Sequence, residues 1–296
     1  MREGPQAPSE RRGGLAVTTR GLVHIYRSEG HDVAALSGVD LTVREGEVVG
    51  LLGPSGAGKS TLLTLFGGLL RPSAGTLHVG PHDLGRLDEA ALDRYRATEV
   101  GVVLQGAARN LLPYLTARQN VELAQRAARA AGRVLPPAAE VLALVGLRRR
   151  ASTPLERLTP GQLQLTALAV AVAAHPGLLL GDEPTSQLDH GARDEVLDAI
   201  REVNRQVGTT VVIVTHDAEV AARLPRTVTI RDGRVGGEGR SGEEYAVVAA
   251  DGSLPLPPPA LLALPPGTLV RVHEDEDGWR LQAADHPVEH EEEPGG

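Results

Sequence analysis

The sequence has no cysteine. That excludes disulfides, thiolate metal sites, iron–sulfur clusters and a cysteine nucleophile. Aromatic residues are scarce: one Phe, one Trp and four Tyr in 296 residues. The core must therefore be built from Leu, Val and Ala, and the stacking platforms used to bind single-stranded nucleic acid are missing. No run reaches the roughly 18 consecutive apolar residues of a membrane-spanning helix. The best candidate, 163–180, is cut by Gln164, His175, Pro176 and Gly177, and it reads as a helix, a turn and a short buried strand. Residues 1–14 mix Gly, Pro and charge without an apolar run. They read as a loose tail rather than a secretory leader. The expectation is a soluble, cytosolic chain that does not cross a membrane by itself.

Lysine is the last scarcity. Of 30 basic residues, all are Arg except Lys59. Compositional drift could leave one lysine anywhere. A site that needs a compact ammonium on a flexible stem, which a planar guanidinium cannot replace, would keep it at one place.

What is present supports a packed protein. Apolar residues make up 41% and charged residues 23%, and 296 residues at roughly 150 per domain allow one large domain or two smaller ones. The net charge of −8 gives no general pull toward nucleic acid or anionic lipid. Its distribution marks a boundary: residues 241–296 hold 12 acidic and 2 basic residues, while the first 240 carry a net charge of +2.

Between Leu15 and about Arg240, short β-type runs alternate with helical ones, the pattern of an α/β domain. Strands are expected at Leu15–Thr18, Leu22–Tyr26, Val39–Val43, Val48–Leu52, Val100–Leu104, Leu178–Gly181, Thr210–Thr215 and Thr227–Arg231. Val48–Leu52, Leu178–Leu180 and Val211–Val214 are apolar almost throughout, as central parallel strands covered on both faces are. Residues 88–150 are helical in pattern and form a helical insertion, a subdomain of about 88–160.

Three strand ends carry chemistry. Gly53-Pro54-Ser55-Gly56-Ala57-Gly58-Lys59-Ser60 matches G-x-x-x-x-G-K-[ST], between a buried strand and the helical run Lys59–Leu70. Glycines let such a loop curl its N–H groups onto phosphate oxygens, and the helix start adds its dipole. The single lysine falls inside this motif, where it would reach the β- and γ-phosphates, with the Ser60 hydroxyl on Mg²⁺. Leu178–Gly181 ends in Asp182 and Glu183. Acidic turns of this kind are common, but beside a phosphate loop one carboxylate can hold Mg²⁺ and the next can face an attacking water. His216 follows the third strand, Thr210–Val214. A lone histidine is usually structural, but at the C-terminal end of a parallel strand a functional role is favoured. The other nine histidines show no metal-ligand spacing.

With these residues in place, 15–240 resembles the ATP-binding subunit of ABC transporters, with every family motif in order. The resemblance implies a P-loop NTPase core with an N-terminal antiparallel β region and a helical subdomain. Gly53–Ser60 is similar to Walker A. Tyr26 resembles the aromatic that stacks on adenine; with Gly53, Pro54, Ser55, Gly56, Ala57, Gly58, Lys59, Ser60 and Thr61 it makes the implied ATP site. Gln105 resembles the Q-loop glutamine, and with Ser60 and Asp182 it is the implied Mg²⁺ set. Glu183 matches the catalytic glutamate and His216 the switch histidine, so Glu183, His216 and Lys59 are the implied catalytic residues. Asp189, in Ser186-Gln187-Leu188-Asp189, is similar to the D-loop. Thr159, Gly161 and Gln162, in Leu158-Thr159-Pro160-Gly161-Gln162, stand where the signature LSGGQ caps the partner's γ-phosphate. The resemblance further implies ATP hydrolysis, a homodimer or heterodimer of ATP-binding subunits, a separate membrane permease, a place on the cytoplasmic face of the plasma membrane, and no nucleic acid. Leu69–Gly75 and Asn110-Leu111-Leu112-Pro113 look like the branch serving FtsX-like permeases in lipoprotein release and macrolide export.

Pro160 departs from the family pattern, because proline removes an N–H and fixes φ. Leu163 and Leu165 also replace the usual polar and basic residues. Either the lineage tolerates this signature with modest loss, the favoured reading, or the capping site is weak and the subunit is slow or pairs with a different ATP-binding chain. Two other functions stay open: a soluble, non-transport ABC ATPase, and a signalling subunit that switches an FtsX-like partner without moving substrate.

The acidic segment 241–285 reads as a small β module. It has a strand at Tyr245–Ala249, a turn at Asp251-Gly252, a short helical turn at Pro259–Leu264, and a hairpin of Val270–His273 and Trp279–Gln282. This order resembles the swapped-hairpin (AbrB-like) fold, which would help to dimerise or regulate the ATPase. The net acidity of the segment argues against DNA binding. Residues 286–296, with Glu291-Glu292-Glu293, read as a solvated tail.

Overall fold

The computed structural model describes residues 13–28, 31–240, 243–248, 252–256, 258–275 and 278–284. Most of the expected N-terminal tail, the whole of the expected C-terminal tail and Asp251 of the expected turn lie outside them. In chain order the strands are β1 (Val17–Ser28), β2 (His31–Val43), β3 (Val48–Leu52), β4 (Ala74–Val79), β5 (His82–Asp83), β6 (Val100–Val103), β7 (Leu178–Asp182), β8 (Thr210–Val214), β9 (Arg226–Arg231), β10 (Arg234–Arg240), β11 (Glu243–Ala246), β12 (Val270–Asp275) and β13 (Gly278–Ala283). The helices are α1 (Lys59–Phe66), α2 (Glu89–Thr98), α3 (Ala117–Ala130), α4 (Ala138–Leu144), α5 (Pro160–Ala171), α6 (His190–Val207), α7 (Ala218–Ala222) and α8 (Pro258–Ala263).

Period-two alternation in the apolar strands explains the layers. Val48, Leu179, Val211 and Ile213 point into one core, with Val121, Val141, Leu168, Val196 and Ile200 from α3 to α6. Their neighbours Val49, Leu51, Leu178, Leu180, Val212 and Val214 point into a second core, with Leu62 and Phe66 of α1, Leu92 and Tyr95 of α2, and the inner residues of β1, β2 and β4. The main sheet thus has both faces covered. Its order is β11-β10-β9-β3-β8-β7-β6. The strands β9, β3, β8, β7 and β6 pair in parallel, while β10 and β11 add an antiparallel edge. A four-stranded antiparallel sheet, β2-β1-β4-β5, forms the N-terminal β region.

The structure corrects several expected boundaries. Leu15–Thr18 and Leu22–Tyr26 belong to one strand, β1. The polar break between them is a bulge, where the pairing passes from Thr19↔Leu41 to Leu22↔Val39 and the Gly21 amide donates to Asp40 Oδ1 at 2.7 Å. The helical run after Lys59 stops at Phe66 rather than Leu70, because Gly67 takes the cap and Gly68 turns with φ +66°. Strands β4 and β10 were not expected. Arg234–Arg240 contains three glycines and one apolar residue, and β9 rather than its own composition makes it a strand. In the acidic segment, β11 joins the main sheet through β10, and β12 and β13 pair with each other from Val270↔Ala283 to Asp275↔Gly278.

One buried ion cluster ties the two sheets together. Arg226 donates to Glu238 at 2.9 and 3.0 Å, to Glu47 at 3.1 Å and to the Thr42 carbonyl at 2.8 Å. Removing its cation leaves the partly buried Glu47 without this ion pair and Glu238 with only the exposed Arg240. Arg226→Leu is expected to cost about 3 kcal/mol, lowering the melting temperature by roughly 6–12 °C in a circular-dichroism melt. Adding Glu47→Leu and Glu238→Leu should recover most of that loss, because the uncompensated charges leave with the cation.

Candidate active site

In a sheet of parallel strands the chain leaves every strand at the same edge, so the segments that follow β3, β8, β7 and β6 gather there. They are the loop 53–58, His216, the pair Asp182 and Glu183, and Gln105.

The loop after β3 is built by exclusion of side chains. A Cβ on Gly53 would lie 2.0 Å from the Ile230 carbonyl oxygen, and its φ is +137°, so only glycine fits. Gly58, at φ +99°, precedes α1 without any side-chain cap. By contrast α2, α3, α5, α6 and α7 are capped by Asp88, Thr116, Thr159, Asp189 and Asp217. An uncapped helix start presents its amides to an anion. Lys59 is 8% exposed, and its Nζ donates to the carbonyls of Gly53 and Pro54 at 2.8 and 2.7 Å. The ammonium is thus held inside the loop it would serve.

Opposite the loop, the Ser60 hydroxyl lies near the Asp182 carboxylate. Burial raises the Asp182 pKa above the ordinary value and the Glu183 charge adds to that, while Ser60 and Lys59 oppose it. Glu183 sits at φ +46°, a left-handed conformation that few non-glycine residues adopt and that often marks functional turns. Its amide still donates to the Val214 carbonyl at 3.0 Å, so the strained turn is anchored to β8. Its carboxylate is gripped twice: Gln105 Nε2 donates to Oε2 at 3.0 Å, and His216 Nδ1 lies 2.6 Å from Oε1. The structure therefore brings Lys59, Ser60, Asp182, Glu183, Gln105 and His216 to one sheet edge. Tyr26 joins from β1, with its hydroxyl 3.3 Å from that of Thr61 on α1.

Comparison with known proteins agrees with this geometry. The family model described as ABC transporter matches residues 36–186. A lipoprotein-releasing system ATP-binding protein, LolD 1 of Caulobacter vibrioides, is 42% identical over 223 residues, covering 74% of this chain and 94% of its own. LolD of Anaeromyxobacter dehalogenans is 46% identical over 208 residues, covering 69% and 85%. The chain belongs to the ABC transporter family, as an ATP-binding subunit. A methionine import ATP-binding protein, MetN of Streptomyces coelicolor, is 40% identical over 242 residues, covering 79% of this chain and 68% of its own. Among solved structures, the dimeric post-hydrolysis state of the ATP-binding cassette MJ0796 with ADP and Pi superposes with a TM-score of 0.66 at 33% identity, covering 76% of this chain and 98% of that one.

The subunit is thus an ATPase that uses ATP and Mg²⁺, and family members of this kind form dimers and power a membrane permease. These relatives favour neither the soluble non-transport ATPase nor the signalling subunit. Among the described residues no helix is long and apolar enough to cross a membrane. The donor set suits Mg²⁺: a hydroxyl, a carboxylate and an amide are all hard oxygen ligands. Among the described residues no group of three or more His, Cys, Asp and Glu could hold a metal.

Thr159, Gly161 and Gln162 of the subunit sit at the start of α5. Thr159 Oγ1 accepts from the Gln162 amide at 3.3 Å, and Gln162 Oε1 accepts from the Thr159 amide at 3.2 Å. This reciprocal cap explains how Pro160 is tolerated. It occupies the first helical position, where the missing N–H has no partner within the helix in any case. Gly161 is needed for packing, since a Cβ there would meet that of Ala192 on α6 at 2.8 Å. Pro160→Gly returns one outward N–H at a stability cost of about 0.4–1 kcal/mol. It is expected to raise the ATPase rate of the purified protein; an unchanged or lower rate would show that this amide is not limiting.

Two supporting groups escaped the sequence reading. Asn110 Oδ1 accepts from the Leu104 amide at 2.9 Å, and its Nδ2 donates to the carbonyls of Leu104 and Gly106, both at 3.0 Å. It thereby shapes the loop that carries Gln105. Asp217 caps α7 directly after His216. The sequence flagged Asn110 only as part of a family-like stretch, and an Asp beside a candidate His carries no spacing signal of its own.

Proposed function

We propose that this subunit drives an FtsX-like permease of the lipoprotein-release type from the cytoplasmic face of the membrane, and that Glu183 is the group that polarises the attacking water. The observation that carries the catalytic assignment is the Glu183 carboxylate, fixed between Gln105 and His216 next to the Ser60–Asp182 pair.

In this reading, Tyr26 meets the adenine, and the amides of 53–61 with the Lys59 ammonium receive the β- and γ-phosphates. Those contacts would replace the ones Lys59 makes with Gly53 and Pro54. Ser60, Gln105 and Asp182 would hold Mg²⁺, which when bound offsets phosphate charge. Glu183 accepts a hydrogen bond from the water whose oxygen attacks the γ-phosphorus. As that bond forms, the bond to the β-γ bridging oxygen breaks and ADP leaves with the electron pair. His216 keeps the Glu183 carboxylate aimed and faces the γ-phosphate. Thr159, Gly161 and Gln162 act on the nucleotide of a second subunit, with Asp189 at the same junction. The coverage of the LolD relatives, 94% and 85% of their own lengths, supports the permease type, as do Leu69–Gly75 and Asn110–Pro113.

The test is co-expression of the tagged subunit with its membrane fraction, identification of the polytopic protein that co-purifies, and ATPase assay of the complex in vesicles. Recovery of an FtsX-like permease that stimulates hydrolysis is expected. Recovery of a solute-import permease instead would overturn the permease assignment while leaving the ATPase chemistry standing.

A further inference from the structure

The His216 side chain is 70% exposed, and one contact with Glu183 cannot by itself fix the loop that carries it. The carboxylate of the next residue does more. Asp217 Oδ1 accepts from the amides of Glu219 and Val220 at 2.8 and 3.4 Å, and the Asp217 amide donates to Thr215 Oγ1 at 3.1 Å. Burial works against the Asp217 charge, yet the two amides and a nearby guanidinium hold its pKa below the ordinary value. That guanidinium belongs to Arg193, whose side chain is only 12% exposed. Its Nη1 lies 3.5 Å from Asp217 Oδ2 and donates to Glu219 Oε2 at 2.6 Å.

Arg193 stands one turn into α6, and its amide donates to the Asp189 carbonyl at 2.9 Å. Asp189 caps the same helix through the Ala192 amide at 2.8 Å. The turn before it returns to the catalytic candidate, since the Ser186 amide donates to the Glu183 carbonyl at 3.1 Å. The contacts therefore close a ring. It runs from Glu183 through the turn to Asp189, along α6 to Arg193, across to Asp217, and back through His216 to the Glu183 carboxylate. Arg193 joins α6 to the start of α7 through its ion pairs with Asp217 and Glu219, as the His216–Glu183 contact joins the segments after β8 and β7.

We propose that Arg193 is a positioning residue for the reaction: it fixes Asp217 from α6 and so sets where His216 meets Glu183. This rests on the reading that Glu183 and His216 act on the γ-phosphate. A guanidinium suits the task because it presents several donors to carboxylates at once: Nη1 faces Asp217 and Glu219 while Nε lies 3.4 Å from Asp194 Oδ1, whereas an ammonium is a single point charge. Part of the network is solvent-exposed, so its contribution to stability is small. Its contribution to alignment is larger, because a displacement of about 1 Å in a reacting group can cost up to ~10²-fold in rate.

The experiment measures basal ATPase of the purified full chain, with nucleotide affinity and melting temperature, for wild type, Glu183→Gln, Arg193→Ala, Arg193→Lys, Asp217→Asn and the Arg193→Ala/Asp217→Asn double variant. Arg193→Ala should lower kcat about 10-fold, with KM for ATP within about 2-fold. Its melting temperature should stay close to that of wild type. Arg193→Lys should regain part of kcat. Asp217→Asn should resemble Arg193→Ala, and the double variant should be no worse than either single change. A wild-type kcat for Arg193→Ala, a loss confined to KM, or fully additive single effects would overturn the inference. If Arg193→Ala unfolds, partial rescue of a folded Arg193→Lys and the behaviour of Asp217→Asn still decide. Failure of wild type to hydrolyse ATP, or normal turnover by Glu183→Gln, would remove the catalytic reading and this inference with it. Normal Arg193→Ala activity beside an inactive Glu183→Gln would remove this inference alone.

Discussion

Replacing Glu183 with glutamine is expected to lower ATP turnover about 10²–10³-fold while leaving ATP binding intact. The substitution is close to isosteric, and a side-chain amide oxygen can still accept the hydrogen bond that Gln105 now gives to Oε2 at 3.0 Å. What disappears is the negative charge and its basicity, at a position whose carboxylate also lies 2.6 Å from His216 Nδ1. Water would then be bound but poorly polarised. None of the groups around Lys59 is touched, so nucleotide affinity should stay within about 3-fold of wild type. Phosphate release in a single turnover reads the first effect, and a nucleotide titration reads the second. Mass in solution supplies a third readout. A monomer that becomes a dimer only with Mg²⁺–ATP would show that a signature carrying Pro160 still permits two subunits to close on nucleotide. Turnover near the wild-type rate would remove Glu183 from the chemistry.

The elements that build this site were legible in the sequence to unequal degrees. Apolar runs such as Val48–Leu52 and Val211–Val214 have the pattern of strands with both faces covered, and they are the centre of the main sheet. The loop 53–60 was legible because its glycines and lysine sit at fixed spacing between a strand and a helix. Strands at the margins were not. β10 is held by its pairing with β9, from Arg234↔Arg231 to Arg240↔Arg226, and three glycines in seven residues hide that from any local pattern. The same division runs through the site. Residues that meet phosphate or water are restricted in type and therefore visible as motifs. Arg193 and Asp217 meet each other across the chain, and Asn110 meets the backbone of Leu104 and Gly106 within an irregular loop; only the folded arrangement shows these partners. Pro160 is instructive in the opposite sense. The sequence presented it as a departure from the signature, with tolerance at modest loss the favoured reading, and the helix start shows why the backbone accepts it: proline is suited to the first helical position.

Lys59→Ala is expected to have the widest effect of any single change, abolishing turnover and weakening ATP binding together. The ammonium is 8% exposed and bonded to two loop carbonyls, so it is already desolvated and fixed where phosphate oxygens would arrive. A hydrogen bond to a charged group contributes about 1.5–3 kcal/mol, which corresponds to roughly 10–150-fold in nucleotide affinity, and removal of the lysine also leaves the carbonyls of Gly53 and Pro54 without that partner. The more searching variant is Lys59→Arg. A chain with arginine at 29 of its 30 basic positions would be expected to tolerate one more if charge were the only requirement. The Lys59 ammonium donates to the Gly53 and Pro54 carbonyls at 2.8 and 2.7 Å, and a larger, planar guanidinium in its place cannot keep both contacts without shifting the loop. Lys59→Arg should therefore lose turnover as Lys59→Ala does, about 10²-fold or more, with a near-normal melting temperature. Phosphate release and a fluorescent-nucleotide titration measure both variants. Wild-type kinetics in Lys59→Arg would show that the solitary lysine is a matter of composition, and that the loop asks only for a positive charge.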